Sequence, residues 1–273
     1  MTFDPAHAQA AYRIRFEWGP TGATATAPAG DPSYAVVVDV LSFTTTVSVA
    51  VARGVEVHPF PWRDARAREY AAAHDAVLAI GRHEARRAGG GVSLSPGSIA
   101  AAEGLERLVL PSPNGSTIAA GLAGSGATVL AAGLRNRRAV AAHLAGHLAT
   151  HLAPDLTEGS PSRGLGNGGL TVIAAGERWP DGSLRPAVED LWGAGAVLAA
   201  LVELGVTGLA PEARVAEQAF RAVEPELAAA LRSCASGREL VDKDFAQDVA
   251  IAGELDADGC VPVLAGGFFI DAT

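Results

Sequence analysis

The pattern of apolar and polar residues divides the chain into short strands that alternate with helices. Residues 12–18 alternate between apolar and polar side chains, which is typical of a half-buried strand. Residues 34–40 form a nearly unbroken β-branched run, which is typical of a buried parallel strand. Further strands are predicted at 55–60, 76–80, 107–110, 128–132, 170–175, 261–265 and 268–270, with helices at 44–53, 62–74, 114–122, 135–152, 187–204 and throughout 211–253. This alternation predicts an α/β fold, a mostly parallel sheet with helices on both faces.

Glycine- and proline-rich segments connect these elements. Residues 19–33, 82–98 and 154–169 are predicted to be loops, because they combine residues that break regular structure with little periodicity. No internal repeat or long linker interrupts the pattern, so residues 1–273 are predicted to form a single α/β domain. The helical stretch at about 205–255 is compatible with a C-terminal helical subdomain.

Composition and charge narrow the classes of partner. Hydrophobic residues make up 49% of the chain, enough for a sizeable core. The net charge is −9 and Lys243 is the only lysine, so the chain lacks the basic patch of a nucleic-acid-binding protein, and no nucleic-acid partner is expected. An anionic small-molecule substrate then requires a metal ion or backbone N–H groups for local positive potential. The alanine- and glycine-rich helices are compatible with a homodimer.

Neither a membrane span nor an export signal is indicated. Residues 108–134 carry no charge, but Pro111, Pro113 and several glycines interrupt them, so strand, loop, helix and strand is the better interpretation. The N-terminal segment lacks the basic start and apolar core of a signal peptide. Cys234 and Cys260 are too few for a disulfide framework. A reducing, cytoplasmic location is therefore expected.

The first central strand ends at Asp39, and Ser42, Thr44, Thr45 and Thr46 follow at the start of a predicted helix. Ligands of α/β sheets bind at the carboxyl ends of strands. A carboxylate at such a position can hold Mg²⁺, and hydroxyls at a helix start can bind a phosphate. A simple helix cap is the alternative interpretation of the same residues.

Two further turns place polar residues after strands. Asn114 and Gly115 form a turn that can cradle an anion through free N–H groups, or can simply connect a strand to a helix. Glu177 follows another strand, and Glu189 and Asp190 begin a helix, where the helix dipole alone favours acidic residues. The shared position of these groups, each just after a strand, predicts one site.

Motifs of other enzyme classes lack their required context. Residues 164–169 match G-x-G-x-x-G but precede a strand, and the chain has no P-loop or serine nucleophile elbow. No histidine is placed to activate Cys234, so a structural thiol is favoured. His143, His147 and His151 recur at helical spacing, but an adjacent leucine stripe favours a solvent-facing row over a zinc site.

Several short segments, read in order, carry a family resemblance. They are Val38-Asp39-Val40-Leu41 with Thr44-Thr45-Thr46, Pro113-Asn114-Gly115-Ser116, Ala174-Ala175-Gly176-Glu177, Glu189-Asp190 with Ala194-Gly195-Ala196, and Ser236-Gly237-Arg238 with Leu240, Asp248-Val249 and Val261-Pro262-Val263. Together they resemble the 2-phosphosulfolactate phosphatase family over nearly the whole chain. The resemblance implies that family's α/β fold and Mg²⁺-dependent hydrolysis of 2-phospho-3-sulfolactate, a step toward coenzyme M, or of a related small phosphoester.

The resemblance also implies roles for individual residues. It places Asp39, Glu189 and Asp190 at the metal or in general acid–base catalysis, and it does not divide these tasks among them. Asn114 is implied in both catalysis and phosphate binding. The other implied phosphate-binding residues are Thr44, Thr45, Gly115, Ser116 and Arg238. Mg²⁺ would neutralise the phosphoryl oxygens, while N–H groups and hydroxyls would stabilise developing charge.

The chain departs from the family pattern where two arginines are expected. Ser42 stands in place of the arginine after D-V-L, and the arginine after N-G-T is replaced near Ile118. Arginine forks suit phosphate and sulfonate, so recognition of a doubly anionic substrate is expected to be weaker. The arginines considered as replacements are Arg82, Arg86, Arg87 and Arg135.

Two alternatives to the phosphatase stay open at this stage. The first is a catalytically impaired paralogue that binds an anionic metabolite. The second is a hydrolase or transferase that uses the same acidic residues on another ester. Mg²⁺-dependent turnover of a phosphomonoester would favour the phosphatase, whereas stabilisation by a ligand without turnover would favour the paralogue.

Overall fold

A large β-sheet forms the centre of the molecule. The computed structural model describes residues 4–27, 33–61, 64–151 and 169–273, and within these ranges the chain forms a nine-stranded sheet and a two-stranded hairpin. The strands are β1 (Ile14–Trp18), β2 (Ser33–Val38), β3 (Glu56–Phe60), β4 (Val77–Leu78), β5 (Arg107–Pro111), β6 (Thr128–Ala132), β7 (Gly169–Ala174), β8 (Glu177–Arg178), β9 (Leu184–Arg185), β10 (Pro262–Ala265) and β11 (Phe268–Asp271). The order across the large sheet is β1-β7-β2-β6-β10-β11-β3-β5-β4, and β8 pairs with β9.

Two groups of parallel strands make up the large sheet. β1, β7, β2 and β6 are parallel neighbours, and so are β3, β5 and β4. The hairpin of β10 and β11 joins the two groups through antiparallel pairs with β6 and β3. The mostly parallel sheet predicted from the alternating pattern is confirmed.

Helices cover both faces of this sheet. They are α1 (Gly19–Thr26), α2 (Phe43–Val51), α3 (Ala65–Ala73), α4 (Arg82–Arg87), α5 (Pro96–Ala100), α6 (Gly115–Leu122), α7 (Arg137–His151), α8 (Val188–Glu203), α9 (Pro211–Val223), α10 (Leu227–Ser233), α11 (Ala235–Asp242) and α12 (Ala246–Ala252). Val36 and Val38 of β2 pack into one core with α7, α8 and α9, whereas Ala35 and Val37 pack into a second core with α2 and α6. The two cores follow from the alternation of side chains along a strand.

Small residues bring α8 close to the end of β2. A Cβ atom added at Gly193 would lie 2.4 Å from a methyl carbon of Val40, and one added at Gly195 would lie 2.0 Å from the carbonyl oxygen of Ala216 in α9. No side chain fits at either position, so glycine permits this close packing. The contact holds the first turn of α8, with its two acidic residues, against the end of β2.

The loop predictions for 19–33 and 82–98 are wrong in part. α1 lies in the first segment, and α4 and α5 lie in the second. Prolines in the first turn begin α1 and α5, and the Ser95 side chain caps α5 by accepting the Ser98 N–H. These short helices consist mainly of small or charged residues, so they carry too few large apolar residues to show a helical period. Of the third predicted loop, residues 154–168 lie outside the described ranges.

The longest uncharged stretch, residues 108–134, forms most of β5, then α6 and β6. This arrangement agrees with the interpretation of that stretch as strand, loop, helix and strand. Within the ranges described above, no helix combines the length and the apolar character that a membrane span requires.

Candidate active site

Asp39 connects two turns at the end of β2. Its Oδ1 atom accepts a hydrogen bond from the Phe43 N–H at 3.1 Å, and its Oδ2 atom accepts one from the Gly115 N–H at 2.9 Å. A Cβ at Gly115 would lie 2.4 Å from the Phe43 ring and 2.8 Å from Asp39 Oδ2, so only glycine allows the N–H to approach. The carboxylate therefore links the start of α2 to the start of α6.

Asp190 links two neighbouring strand ends from the first turn of α8. Its Oδ1 atom accepts the Val40 N–H at 2.7 Å, and its Oδ2 atom accepts the Gly176 N–H at 2.8 Å. Val40 follows β2 and Gly176 follows β7, which are paired strands. Asp190 is fully buried, with each oxygen already accepting one backbone hydrogen bond, so its main role in the fold is to position these two turns.

Glu177 and Asn114 complete the polar surface beside Asp39. The Asn114 side-chain N–H donates to Glu177 Oε2 at 2.9 Å, which connects the turn before α6 to the β8–β9 hairpin. Glu177 is half-buried, and both residues line a cleft with Asp39. The sequence placed Glu177 after a strand, but it carried no assigned role there.

The cleft has a volume of about 210 Å³. Its polar lining is formed by Asp39, Ser42, Arg82, Ser112, Asn114 and Glu177 together with Thr46, and its apolar lining by Leu41, Phe43, Leu94, Leu110, Pro111 and Pro113. Pockets for drug-sized ligands usually measure about 300–1,000 Å³. The cleft is therefore suited to a small metabolite with polar groups.

Burial and neighbouring carboxylates raise the pKa values of two acids at this site. Burial raises the pKa of Asp39 to about 6, Glu177 and Glu189 add to the shift, and the two N–H hydrogen bonds oppose it. The pKa of Asp190 lies well above its usual value, first because of burial and then because of Asp39 and Glu189. A cation or a proton would relieve the repulsion within this group of four carboxylates.

The hydroxyls predicted to bind phosphate are buried and hydrogen-bonded within the protein. Thr44 and Thr45 donate to the backbone carbonyls of residues 39 and 40. Ser116 donates to backbone carbonyls at the ends of β3 and β5. None of the three belongs to the described residues that line the cleft, so here they shape the turns, as the cap interpretation proposed.

Two other predicted residues lie outside the cleft lining. Arg238 is exposed on α11 and lines a separate surface pocket with Ser233 and Asp242. Glu189 is buried close to the thiol of Cys234. The position of Arg238 therefore gives no support to the predicted phosphate contact.

Of the four arginines considered as replacements, Arg82 lines the cleft. Arg135 is buried in an ion pair with Asp258 at 2.7 Å, which ties the C-terminal segment to the turn before α7. Arg86 and Arg87 are exposed on α4. Arg82 is therefore the arginine whose position allows contact with a ligand in this cleft.

Among the described residues, neither Cys234 nor the histidines of α7 lie in surroundings that suit catalysis or zinc binding. Burial and Glu189 raise the pKa of Cys234 to about 12, so this thiol is not a nucleophile at neutral pH. The rings of His143 and His147 lie 4.5 Å apart on α7, and no cysteine or carboxylate of the described chain completes a metal site with them. The side chain of His151 lies outside the described residues.

The predicted three-carboxylate magnesium site is not assembled. Among the residues described, no three His, Cys, Asp or Glu side chains are arranged to hold a metal ion. Neither Glu189 nor Asp190 lines the cleft. Asp39 and Glu177, in contrast, both line it, and one or two carboxylates with waters and substrate phosphate oxygens are the usual ligands of Mg²⁺. The two carboxylates therefore suit a magnesium ion in number and in chemical type.

Comparison with known proteins agrees with the motifs. The model of the family described as 2-phosphosulpholactate phosphatase matches residues 23–267 of the 273-residue chain, a range that includes every residue lining the cleft. No curated protein matches the chain. The match covers far more than half of the sequence, and the α/β fold is consistent with it. The chain therefore belongs to the 2-phosphosulpholactate phosphatase family, which is a family of phosphoric monoester hydrolases.

Proposed function

We propose that this protein is a magnesium-dependent phosphomonoesterase that hydrolyses 2-phospho-3-sulfolactate or a related small phosphoester beside Asp39. The observation that carries the proposal is the convergence of Asp39, Glu177 and Asn114 in one small cleft of a chain that belongs to this family. The substrate class comes from the family description, and the volume of the cleft suits a molecule of that size.

Asp39 and Glu177 are the residues that would hold the magnesium ion. Mg²⁺, when bound, would supply positive charge that neutralises phosphoryl oxygens and would help to orient water. The N–H groups of Phe43 and Gly115 fix the orientation of the Asp39 carboxylate, and each of its oxygens keeps a free lone pair for a further partner. The pKa of about 6 leaves Asp39 largely ionised at neutral pH.

Asn114 would orient the phosphate group. Its side-chain amide donates one hydrogen to Glu177 and keeps a second hydrogen that can reach a phosphoryl oxygen in the cleft. The adjacent Gly115 N–H already donates to Asp39, so its support for the phosphate is indirect, through the position of that carboxylate.

The proposal extends to the cellular location of the enzyme and to its binding partners. Cys234 and Cys260 are both free and buried, which supports a reducing, cytoplasmic setting. The partner we propose is a small anionic phosphoester. The homodimer stays a prediction.

Phosphate release tests the proposal. Wild type, Asp39→Asn and an exposed control, Glu212→Gln, are incubated with 2-phospho-3-sulfolactate and a panel of phosphomonoesters, with Mg²⁺ and with EDTA. We expect Mg²⁺-dependent release by wild type and the control, and a loss of at least about 100-fold in Asp39→Asn, the size of loss expected when one catalytic electrostatic group is removed.

A binding protein without turnover is the second candidate, because the expected arginine positions have changed. Ser42 is small, and Ile118 is buried in the core rather than directed to a ligand. Saturable stabilisation of the folded protein by phosphoesters, with no release of phosphate from any of them in the presence of Mg²⁺, would contradict catalysis and support this candidate.

A further inference from the structure

Arg82 brings a positive charge to a cleft that is otherwise acidic. Among the described residues lining the cleft, Arg82 is the one cation, whereas Asp39 and Glu177 are both carboxylates. A phosphoester bound beside these carboxylates with a second anionic group would need a separate donor for that group.

The Arg82 side chain is held in place by the C-terminal helices. Its Nε atom donates to Asp248 Oδ2 at 2.7 Å, and Asp248 is 3% exposed and also accepts a hydrogen bond from the Ser95 hydroxyl. The guanidinium carbon lies 5.8 Å from the centre of the Phe245 ring. The Arg82 side chain is 16% exposed, so it is fixed by its contacts and still reaches the cleft.

Part of the guanidinium remains free to bind a ligand. Its Nη2 atom donates to the Ser42 hydroxyl, while its Nη1 atom has no hydrogen-bond partner among the residues the structure describes. Arginine has five N–H donors in a planar fork, which matches the oxygens of carboxylates and sulfonates. Ser42 stands where the family motif has an arginine, so Arg82 brings a guanidinium to that position from a different element, α4.

We propose that Arg82 is the specificity-determining residue of this cleft and selects phosphoesters that carry a second oxyanion, a carboxylate or a sulfonate. The inference rests on the proposed function, because it assigns the second anion of a substrate whose phosphate lies beside Asp39. Asp248 is then a positioning residue, which orients Arg82 without contact with the substrate.

Paired substrates test this assignment. 2-Phosphoglycolate carries a phosphate and a carboxylate, whereas propyl phosphate has a similar size and carries the phosphate alone. For Arg82→Gln we expect kcat/KM to fall about 10–100-fold for 2-phosphoglycolate and for 2-phospho-3-sulfolactate, the loss expected for a hydrogen bond between charged groups. Propyl phosphate should change by less than about threefold, and Arg82→Lys should lie between wild type and Arg82→Gln, because it keeps the charge without the fork.

A matched control is available in the same helix. Arg86 also lies near the Phe245 ring, at 5.5 Å, and it pairs with the exposed Asp244 outside the cleft. Arg86→Gln should leave the ratio of kcat/KM values for the two esters unchanged. Because Arg82→Gln leaves the buried Asp248 carboxylate without its partner, the double variant Arg82→Gln/Asp248→Asn is measured as well, and it should show the same loss of selectivity.

The outcomes separate this inference from the proposed function. An equal loss of kcat/KM for both esters, or no loss, would overturn the role of Arg82 even if the enzyme is a phosphatase. If wild type hydrolyses no ester, the proposed function fails, and calorimetric binding of the two esters decides the inference. Weaker binding of 2-phosphoglycolate alone in Arg82→Gln would support it, and equal or absent binding would overturn it.

Discussion

Access to the cleft determines which carboxylates of this site are available for chemistry. Each oxygen of Asp190 accepts a backbone N–H hydrogen bond, and the residue does not line the cleft. Glu177 accepts a hydrogen bond from Asn114, and its half-buried side chain faces the cleft. The two acids therefore have different roles: Asp190 positions two backbone turns, whereas Glu177 can meet a ligand.

Replacing Asp190 by asparagine should destabilise the fold. The amide offers one acceptor oxygen, so one of the two buried N–H groups, of Val40 or Gly176, loses its partner. A buried unsatisfied donor costs about 1–3 kcal/mol, and we expect the free energy of unfolding in urea to fall by that amount. Glu212→Gln, on an exposed face of α9, is the control. A stability equal to that of wild type would show that these hydrogen bonds do not hold the turns.

His58 in β3 should make the protein less stable in acid. Its ring is buried against Tyr70 and Phe268, and its Nε2 atom has no hydrogen-bond partner among the described residues. Burial, followed by His74, lowers the pKa of His58, so the folded state binds fewer protons than the unfolded state. Stability is then full above the unfolded value of about 6.5 and falls as the pH decreases through the folded pKa.

The measurement for His58 compares urea unfolding at pH 7 and pH 5. His58→Phe keeps a ring in the same space and removes the titration, so it should lose less stability than wild type between the two pH values. His7→Phe, which changes an exposed histidine, should keep the wild-type dependence on pH. The same loss in His58→Phe as in wild type would rule out His58 as the cause.

The sequence predicts which side chains follow strand ends, but it cannot orient them. Asp39, Asn114 and Asp190 are predicted because each follows a strand or begins a helix near a strand end. The choice between Glu177 and Glu189 depends on the β8–β9 hairpin and on the hydrogen bond from Asn114, 63 residues earlier in the chain. No local pattern carries that information.

At the scale of elements, the position of α8 depends on glycines that allow close contact with its neighbours. A Cβ at Gly195 would lie 2.0 Å from the Ala216 carbonyl oxygen and 2.8 Å from the Phe220 Cβ in α9. The short Ala194-Gly195-Ala196 segment of the family motif therefore has a packing role. It helps to hold Asp190, in the first turn of the same helix, against the strand ends.

Gly195→Ala should separate α8 from α9. Because the nearest atoms belong to backbone, the helices must shift, and overpacking of this kind costs about 1–3 kcal/mol in the free energy of unfolding. Gly121→Ala is a matched control, because Gly121 lies in α6 with no atom within 4 Å of the added Cβ. The control should gain up to about 1 kcal/mol from helix propensity. Equal effects of the two substitutions would contradict the packing role.

Elements with strong local signals were predicted well, and elements held by tertiary contacts were not. The β-branched run before Asp39 and the apolar run of β6 identified central strands. α1, α4 and α5 were missed because they are short and consist mainly of small or charged residues. The helical pattern at 211–253 was correct in type, and its division into α9 to α12 follows breaks such as the Glu224–Glu226 turn.

At the scale of the whole molecule, contacts between distant parts of the chain hold the walls of the cleft together. Asp190 reaches Val40 across 150 residues, and Asp248 reaches Arg82 across 166. The β10–β11 hairpin joins the two groups of parallel strands. The C-terminal third therefore contributes to the site through positioning, because Asp190 orients two strand ends and Asp248 orients Arg82, whereas Arg238 does not line the cleft.

The central claim is that Asp39 and Glu177, rather than the buried Glu189, form the acidic face of a magnesium-dependent phosphatase. The most direct test measures phosphate release from 2-phospho-3-sulfolactate as a function of Mg²⁺ concentration for wild type, Glu177→Gln and Glu189→Gln. We predict that Glu177→Gln requires more Mg²⁺ for half-maximal activity and loses at least about 100-fold in kcat/KM, while Glu189→Gln keeps the wild-type dependence on Mg²⁺. The opposite pattern, or release that does not depend on Mg²⁺, would contradict this claim.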